Sequence, residues 1–359
     1  MFGRMMNNYY YGKSGKGDFR KDDLPATRMQ LFWDTLRTRL SGLCRLNLMY
    51  MLIWLPAMIV IMMSASRIYS NLSIYMLVQN NDYAGYVQAV QDSNGEVDIT
   101  EEQYEALKSE KINLSDYLYG SVFTLLLILF PCIAITGPFT AGVSYVTRNW
   151  ARDEHAFIWS DFKDAVKANW KIPLALSTIT GALPVLVYQG WVTYGRMAEG
   201  NPILIVPQML VLMLGILWAL CITYMHPMTV SYDLKFRGVI RNGFLLGIAR
   251  LPFSAGIRLL HCVPALIAFI AVWFFGLDLM MALLLLGGYY MIIGFGLSRF
   301  ITASYTNAVF DRFINSKIEG APVNKGLRVK DEDDSDEEEA EAEESGDGSG
   351  RPAGGETEE

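Results

Sequence analysis

The sequence predicts an all-α protein: a polytopic membrane helix bundle with six transmembrane helices and both termini cytoplasmic. Three observations carry that prediction. Of its 359 residues 52% are hydrophobic before the 31 glycines are added, more than the core of an ordinary globular chain takes up. The apolar residues gather into runs of about 20, the length that crosses bilayer hydrocarbon as a helix. Lysine and arginine alternate across the connections: 24 lie in the first 45 residues and in 138–171, 225–253 and 299–330, against four in the connections between. The basic connections are expected on the cytoplasmic side. These features exclude a soluble enzyme, a nucleic-acid binder and a disulfide-stapled secreted module.

In chain order, residues 1–23 are polar, rich in glycine and tyrosine and without an apolar run, which predicts a flexible segment rather than a signal peptide. From Leu24 to Arg45, Phe32, Leu36, Leu40, Leu43 and Cys44 fall near one face while Arg37, Arg39 and Arg45 lie elsewhere. That pattern predicts a helix in the headgroup layer, the alternative being an inward extension of the first span. The membrane domain covers 24–330, with spans at about 46–63, 118–137, 172–194, 202–224, 254–275 and 279–298, the last two separated by a turn at Gly276-Leu277-Asp278. Pro56, Pro131, Pro184, Pro207 and Pro264 fall inside spans.

The extracellular loop 64–117 holds nine acids and three bases and is long enough to fold over the mouth of the bundle. Within it Thr100 and Gln103 have the spacing of a capping box. The run from Val90 to Glu101 has calcium-loop spacing at Asp92, Asn94, Gly95, Asp98 and Glu101, but Val90 stands where the first acidic ligand belongs. A polar turn before a capped helix is the reading. The tail 331–359 carries 15 of the 37 acids and one of the 30 bases, so it repels itself and is expected to be disordered.

On the inner side, Thr136-Gly137-Pro138 is expected to end the second span, and Pro227 lies near the inner end of the fourth. Each leads into an amphipathic segment. The first, Ser160–Lys171, has Ser160 as its candidate N-cap and Phe162, Val166 and Trp170 as candidate partner-docking residues. In the second, Phe236, Ile240 and Phe244 recur every four residues, and Phe236 and Ile240 join the docking set. Asn169 and Asn242 precede the following spans, so the two halves have the outline of a degenerate parallel repeat.

Catalytic chemistry leaves no pattern. The three histidines belong to no HExxH, nucleophile-elbow or P-loop motif. His155 reads as part of a solvated turn. His226 and His261, with Cys44, Cys132, Cys221 and Cys262, lie toward the inner side but lack CxxC or CxxH spacing, so no metal, cofactor or disulfide is expected. Mid-span acids and bases are missing, with Arg258 entering the fifth span far enough only to snorkel, which argues against proton-coupled transport. A polar cavity lined by Tyr50, Gln189, Tyr289 and Tyr290 would mark a permease.

At ITGPFTAGVSYVTRNWARDEHAFIWSDFKDAVKANWK the chain resembles the YesL-like family of bacterial integral membrane proteins, a domain of unknown function. The residues carrying the likeness are Pro56; Thr136, Gly137 and Pro138; Phe157, Asp161, Phe162, Asn169 and Trp170; and Tyr224 and Pro227. The resemblance extends over about 28–315, and the large outer loop and acidic tail depart from it. It implies a setting among carbohydrate-utilisation genes and an accessory or regulatory role in sugar uptake, with a sugar transporter or membrane sensor as partner alongside the lipid bilayer. It implies no catalytic residues. The expectation is a non-enzymatic membrane protein; the alternative is a small-solute or sugar permease.

Overall fold

The computed structural model describes residues 24–94, 99–109 and 113–328. The expectations for 1–23, for Gly95 and Asp98, and for the tail 331–359 lie outside the described residues. The rest is all-helical: α1 (Arg28–Gln79), α2 (Tyr83–Asn94), α3 (Glu101–Ser109), α4 (Leu114–Trp150), α5 (Ile158–Ala168), α6 (Lys171–Ala198), α7 (Ile205–Ser231), α8 (Phe236–Ala249), α9 (Leu251–Phe275), α10 (Leu279–Tyr289) and α11 (Phe295–Phe313). Among the described residues six segments are long and apolar enough to cross a membrane: α1, α4, α6, α7 with its leading turn, α9, and α10 continued through α11. The protein is a multi-spanning membrane bundle.

The first helix corrects two expectations. Thr27 and Gln30 form a reciprocal capping box, Thr27 Oγ1 accepting from the Gln30 amide at 3.2 Å and Gln30 Oε1 from the Thr27 amide at 3.3 Å. From there α1 runs unbroken for 52 residues through Pro56. Residues 28–45 therefore extend the first span instead of forming a separate interfacial helix, and 64–79 are helix rather than loop. The cause is packing: Leu31, Thr35, Leu43, Leu46 and Tyr50 are buried in α1, which lies against α4 and α11.

Beyond Gln79 the chain folds back on α1. Tyr104 is buried, with its ring 5.2 Å from that of Tyr83 and 5.3 Å from that of Tyr86. The Thr100–Gln103 capping box forms as expected, with hydrogen bonds of 3.3 and 3.1 Å. Val90 and Asp92 lie within α2, so the calcium-like run begins as helix, not as a turn.

Helix α4 is central, packing against α1, α5, α6, α7 and α11. Its Pro131 and Pro138 are both internal, and the helix continues to Trp150. Thr136-Gly137-Pro138 thus does not end the helix, and Pro227 likewise lies inside α7, which ends at Ser231. Proline removes one amide donor, a loss that a helix held by its neighbours within a membrane bundle tolerates.

Burial is uneven along the bundle. One cluster joins Leu43, Leu46 and Tyr50 of α1 to Val143, Val146 and Trp150 of α4, Phe162 of α5, and Phe300 and Ala303 of α11. Two others link Leu176, Trp218, Cys221, Met225 and Val239, and Tyr224, Met228, Leu246, Val309 and Phe310. These clusters gather toward the end that carries α5, α8 and most of the lysines and arginines, here called the basic end. The apolar windows of the spans are buried by at most 22%, and that of α9 by 0%. Lipid is as apolar as leucine, so side chains in the bilayer gain little by hiding from it, whereas at the basic end water enforces a core.

The last span contains a five-residue π-helical segment, Tyr290–Gly294, between α10 and α11. Asn47 of α1 is fully buried beside it. Its amide donates to the carbonyls of Tyr290 at 3.1 Å and Met291 at 2.8 Å, while its Oδ1 accepts from the Gly296 amide at 2.8 Å. One side chain thereby serves three backbone groups that the irregular turn leaves open.

Candidate functional site

The basic end is floored by α5 and α8. Phe157, not Ser160, is the N-cap of α5 and offers no side-chain cap; Ser160 lies inside the helix, and Asp161 Oδ2 reaches back to accept from the Phe157 amide at 2.8 Å. Phe162 is only 7% exposed and stacks on Phe139 with ring centroids 6.5 Å apart. Phe162 and Val166 both press on Gly142, where an added Cβ would come within 2.6 Å of the Phe162 ring. Trp170 is 46% exposed, with the Lys171 ammonium 5.7 Å from its ring. The expected docking set therefore divides: Phe162 and Val166 are spent on intramolecular packing, and Trp170 remains accessible. Phe157 and Trp159, at the other end of α5, are each 66% exposed, which was not expected from the spacing.

In α8 the packed face is Val239, Gly243, Leu246 and Gly247. Phe236 is exposed, while Ile240 and Phe244 are half-buried at the edge of the second cluster. The period-four aromatic reading is displaced by one residue because close approach is made through glycine: a Cβ on Gly243 would strike Met225, and one on Gly247 would strike Cys221 of α7. Two glycines four residues apart are the feature of the sequence that marks this face, and the period-four reading passed over them.

Of the expected motif residues, some converge. A cavity of about 580 Å³ is lined by residues 168–173 and 229–234, among them Asn169, Trp170, Lys171, Tyr232 and Asp233. It joins the end of α5 to the chain just beyond Pro227. Asn169 closes α5, its amide donating to the Ala165 carbonyl at 3.3 Å, and Ser231 Oγ donates to the Pro227 carbonyl at 2.8 Å. Burial pushes the Tyr232 phenol up to about 12, so it stays protonated and donates to Asn315 Oδ1 at 2.7 Å. Thr136, Gly137 and Pro138 do not line the cavity. Thr136 Oγ1 donates to the Ile133 carbonyl at 2.8 Å, and Gly137 sits against the Pro173 backbone with no room for a side chain, which fixes where α6 begins.

A second cavity, of about 590 Å³, is lined by Arg28, Arg250, Tyr305, Asp311, Arg312 and Asn324, among others. Asp311 ties the two ends of the domain together there. Its Oδ2 accepts from Arg28 at 2.7 Å and from the Asn324 amide at 3.1 Å, and its Oδ1 from Asn315 at 2.6 Å.

Of the four residues expected to mark a permease cavity, Tyr50 and Tyr290 both pack on Phe295, at 6.1 and 4.9 Å, with Tyr289 beside Tyr290, and Gln189 stands apart. The Tyr50 hydroxyl shares a 2.6 Å hydrogen bond with Thr140 inside the core. Gln189 accepts from Tyr119 and donates to Thr193 at 3.2 Å near the opposite end. Tyr289 and Tyr290 face each other edge-on at 5.1 Å. Among the described residues no three His, Cys, Asp or Glu side chains gather to hold a metal ion, and the four cysteines are free. His155 packs on Phe157, ring centroids 4.6 Å apart.

The segment from α4 through α5 into α6 is the helix, surface helix, helix unit that carries the expected motifs. Residues 119–191 match the model of a family described as "Protein of unknown function, DUF624". The match covers about a fifth of the chain and includes Thr136, Gly137, Pro138, Phe162, Asn169 and Trp170. It is consistent with membership of the DUF624, YesL-like family over that unit. No curated protein and no solved structure matches the chain. The α7–α8–α9 segment repeats the order of the DUF624-matched unit but not its closeness: α6 packs along α4, whereas α9 stands largely apart from α7.

Proposed function

We propose that the protein is a non-enzymatic accessory or regulatory subunit of carbohydrate uptake, with its basic end and both termini in the cytoplasm. The observation that carries this reading is the exposure of Phe157 and Trp159 at the start of α5 and of Trp170 just beyond its end, flanking a helix whose other face is locked into the core. Aromatic anchors beside a rigid floor suit docking of another membrane protein, such as a sugar transporter or sensor. The sugar setting rests on the resemblance to the YesL-like family.

The permease alternative needs polar groups converging on an open path within the spans; Tyr50 spends its hydroxyl on Thr140 inside the core, and Gln189 stands apart from the tyrosines around Phe295. The test is co-purification in mild detergent with and without Trp159→Ala plus Trp170→Ala. Loss of a sugar transporter or sensor from the variant, at unchanged protein level, supports the proposal; equal recovery from both proteins overturns it. Sugar uptake by the purified chain alone in liposomes would establish the permease. Cysteines placed at Trp159 and Thr193 read the orientation: impermeant reagent on intact cells should label the second and spare the first.

A further inference from the structure

The region between α7, α9 and α11 holds basic groups that form no ion pair with an acid among the described residues. Arg258 and His261 project from α9, Arg299 from α11 and His226 from α7. Arg258 and Arg299 are the charged groups that act on both histidines. His226 is 4% exposed and its Nδ1 has no hydrogen-bond partner; Arg258 Nε is also buried without one. His261 Nε2 lies 3.1 Å from the Ser298 carbonyl and 3.4 Å from Thr302 Oγ1, which draws α9 and α11 together at this level. No aspartate or glutamate occurs in 200–232, 234–277 or 279–310, so these three spans contain no carboxylate to pair with the guanidiniums.

Two neighbouring guanidiniums without a counter-ion are costly in a low-dielectric setting, because each raises the cost of the other. Their depth indicates what compensates them. At the helical rise, Arg258 lies about 27 Å from the turn at Gly276, Arg299 about 30 Å from the start of α10, and His226 about 32 Å from the start of α7. All three thus stand about one hydrocarbon thickness, roughly 30 Å, from the opposite surface, which is the level of lipid phosphates in the leaflet at the basic end.

We infer that Arg258 and Arg299, with His226 and His261 beside them, form a binding site for a phosphate group, and that the phosphate is the headgroup of an anionic phospholipid seated between α9 and α11. Arginine suits this task because its fork of donors meets phosphate oxygens in pairs. Basic pockets between helices at the membrane surface recognise lipid headgroups in this way.

The test uses the full-length chain in nanodiscs or mild detergent, offered an equal mixture of phosphatidylglycerol and phosphatidylcholine, with retained lipid read by native mass spectrometry. The wild-type chain should retain phosphatidylglycerol in preference. Arg258→Gln plus Arg299→Gln should lower that preference about tenfold, while Arg237→Gln plus Lys163→Gln, removing two exposed charges at the same end, should leave it unchanged. Absence of preference in the wild-type chain overturns the site without reference to any variant's folding. Equal loss in the two double variants also overturns it, since attraction would then be general to the basic end. A second arm adds inorganic phosphate to protein in phosphatidylcholine alone: thermal stabilisation that vanishes in the Arg258, Arg299 variant would identify a free phosphate as the occupant and overturn the lipid assignment.

Discussion

Replacing Asn47 by alanine tests whether the irregular turn in the last span is held by this one side chain. The substitution removes three hydrogen bonds, to the Tyr290 and Met291 carbonyls and from the Gly296 amide. A hydrogen bond within a membrane protein contributes about 0.6 kcal/mol on average, and a buried group left without a partner costs about 1–3 kcal/mol. Three together give a loss of about 2–4 kcal/mol, because the π segment can recover part of it by tightening toward α-helix. The assay is reversible unfolding in detergent followed by tryptophan fluorescence, with Asn47→Leu as companion. Leucine keeps the volume and removes the polar contacts, so both variants should lose similar stability. A leucine variant as stable as the wild type would refute the hydrogen-bond account and leave packing as the role of the position.

Gly137→Val should prevent accumulation of folded protein, since any Cβ meets the Pro173 backbone, whereas Gly120→Ala, with open space around it, should be tolerated; expression and size-exclusion profiles decide. Phe162→Ala should cost about 3–5 kcal/mol as a core truncation, while Trp170→Ala should change stability by less than about 0.5 kcal/mol, as read by unfolding midpoints. Asp311→Asn should free the two ends of the domain from each other, measurable as faster amide exchange at 24–28 and 320–328, because the charge-assisted bond to Arg28 is lost.

The apolar runs made six spans legible because hydrocarbon thickness sets a minimum length that little else in a sequence imitates. The turn before α10 was legible too: Gly276 adopts φ +68 and Asp278 Oδ1 caps the helix by accepting from the Met281 amide at 3.0 Å. The helices extend well past the runs, however, and that depends on tertiary contact. Residues 28–45 carry arginines on one side and read as a headgroup helix, yet Leu31, Leu43 and Leu46 find α4 and α11 to pack against. Pro138 read as a terminator because local rules treat the lost amide as decisive, and Pro227, set near the inner end of the fourth span, proved internal to α7 as well. The π segment had no visible mark, since what permits it is an asparagine about 240 residues away in the chain, Asn47, whose partner carbonyls carry no side-chain signature. At the candidate site, the sequence identified α5 and the segment around Asn169; its Phe162 can meet the bundle from its place in the amphipathic pattern, and the ring does so, which leaves it unavailable to the partner it was also offered to.

Helix α1, at about 78 Å for its 52 residues, is more than twice as long as the hydrocarbon is thick. It is continuous from the Arg28–Asp311 clamp at one end to the tyrosine cluster at the other, and Asn47 pins it to the last span between them. A rod pinned at an intermediate point has the geometry of a lever with unequal arms. A tilt of about 10° about the Asn47 contact would swing the far terminus by roughly 8 Å while moving the near terminus by about 5 Å in the opposite direction. The same continuous helix thus carries the small helical cap at one end and part of the packed floor at the other, and Pro56 is the one proline along the shaft where its stiffness can yield.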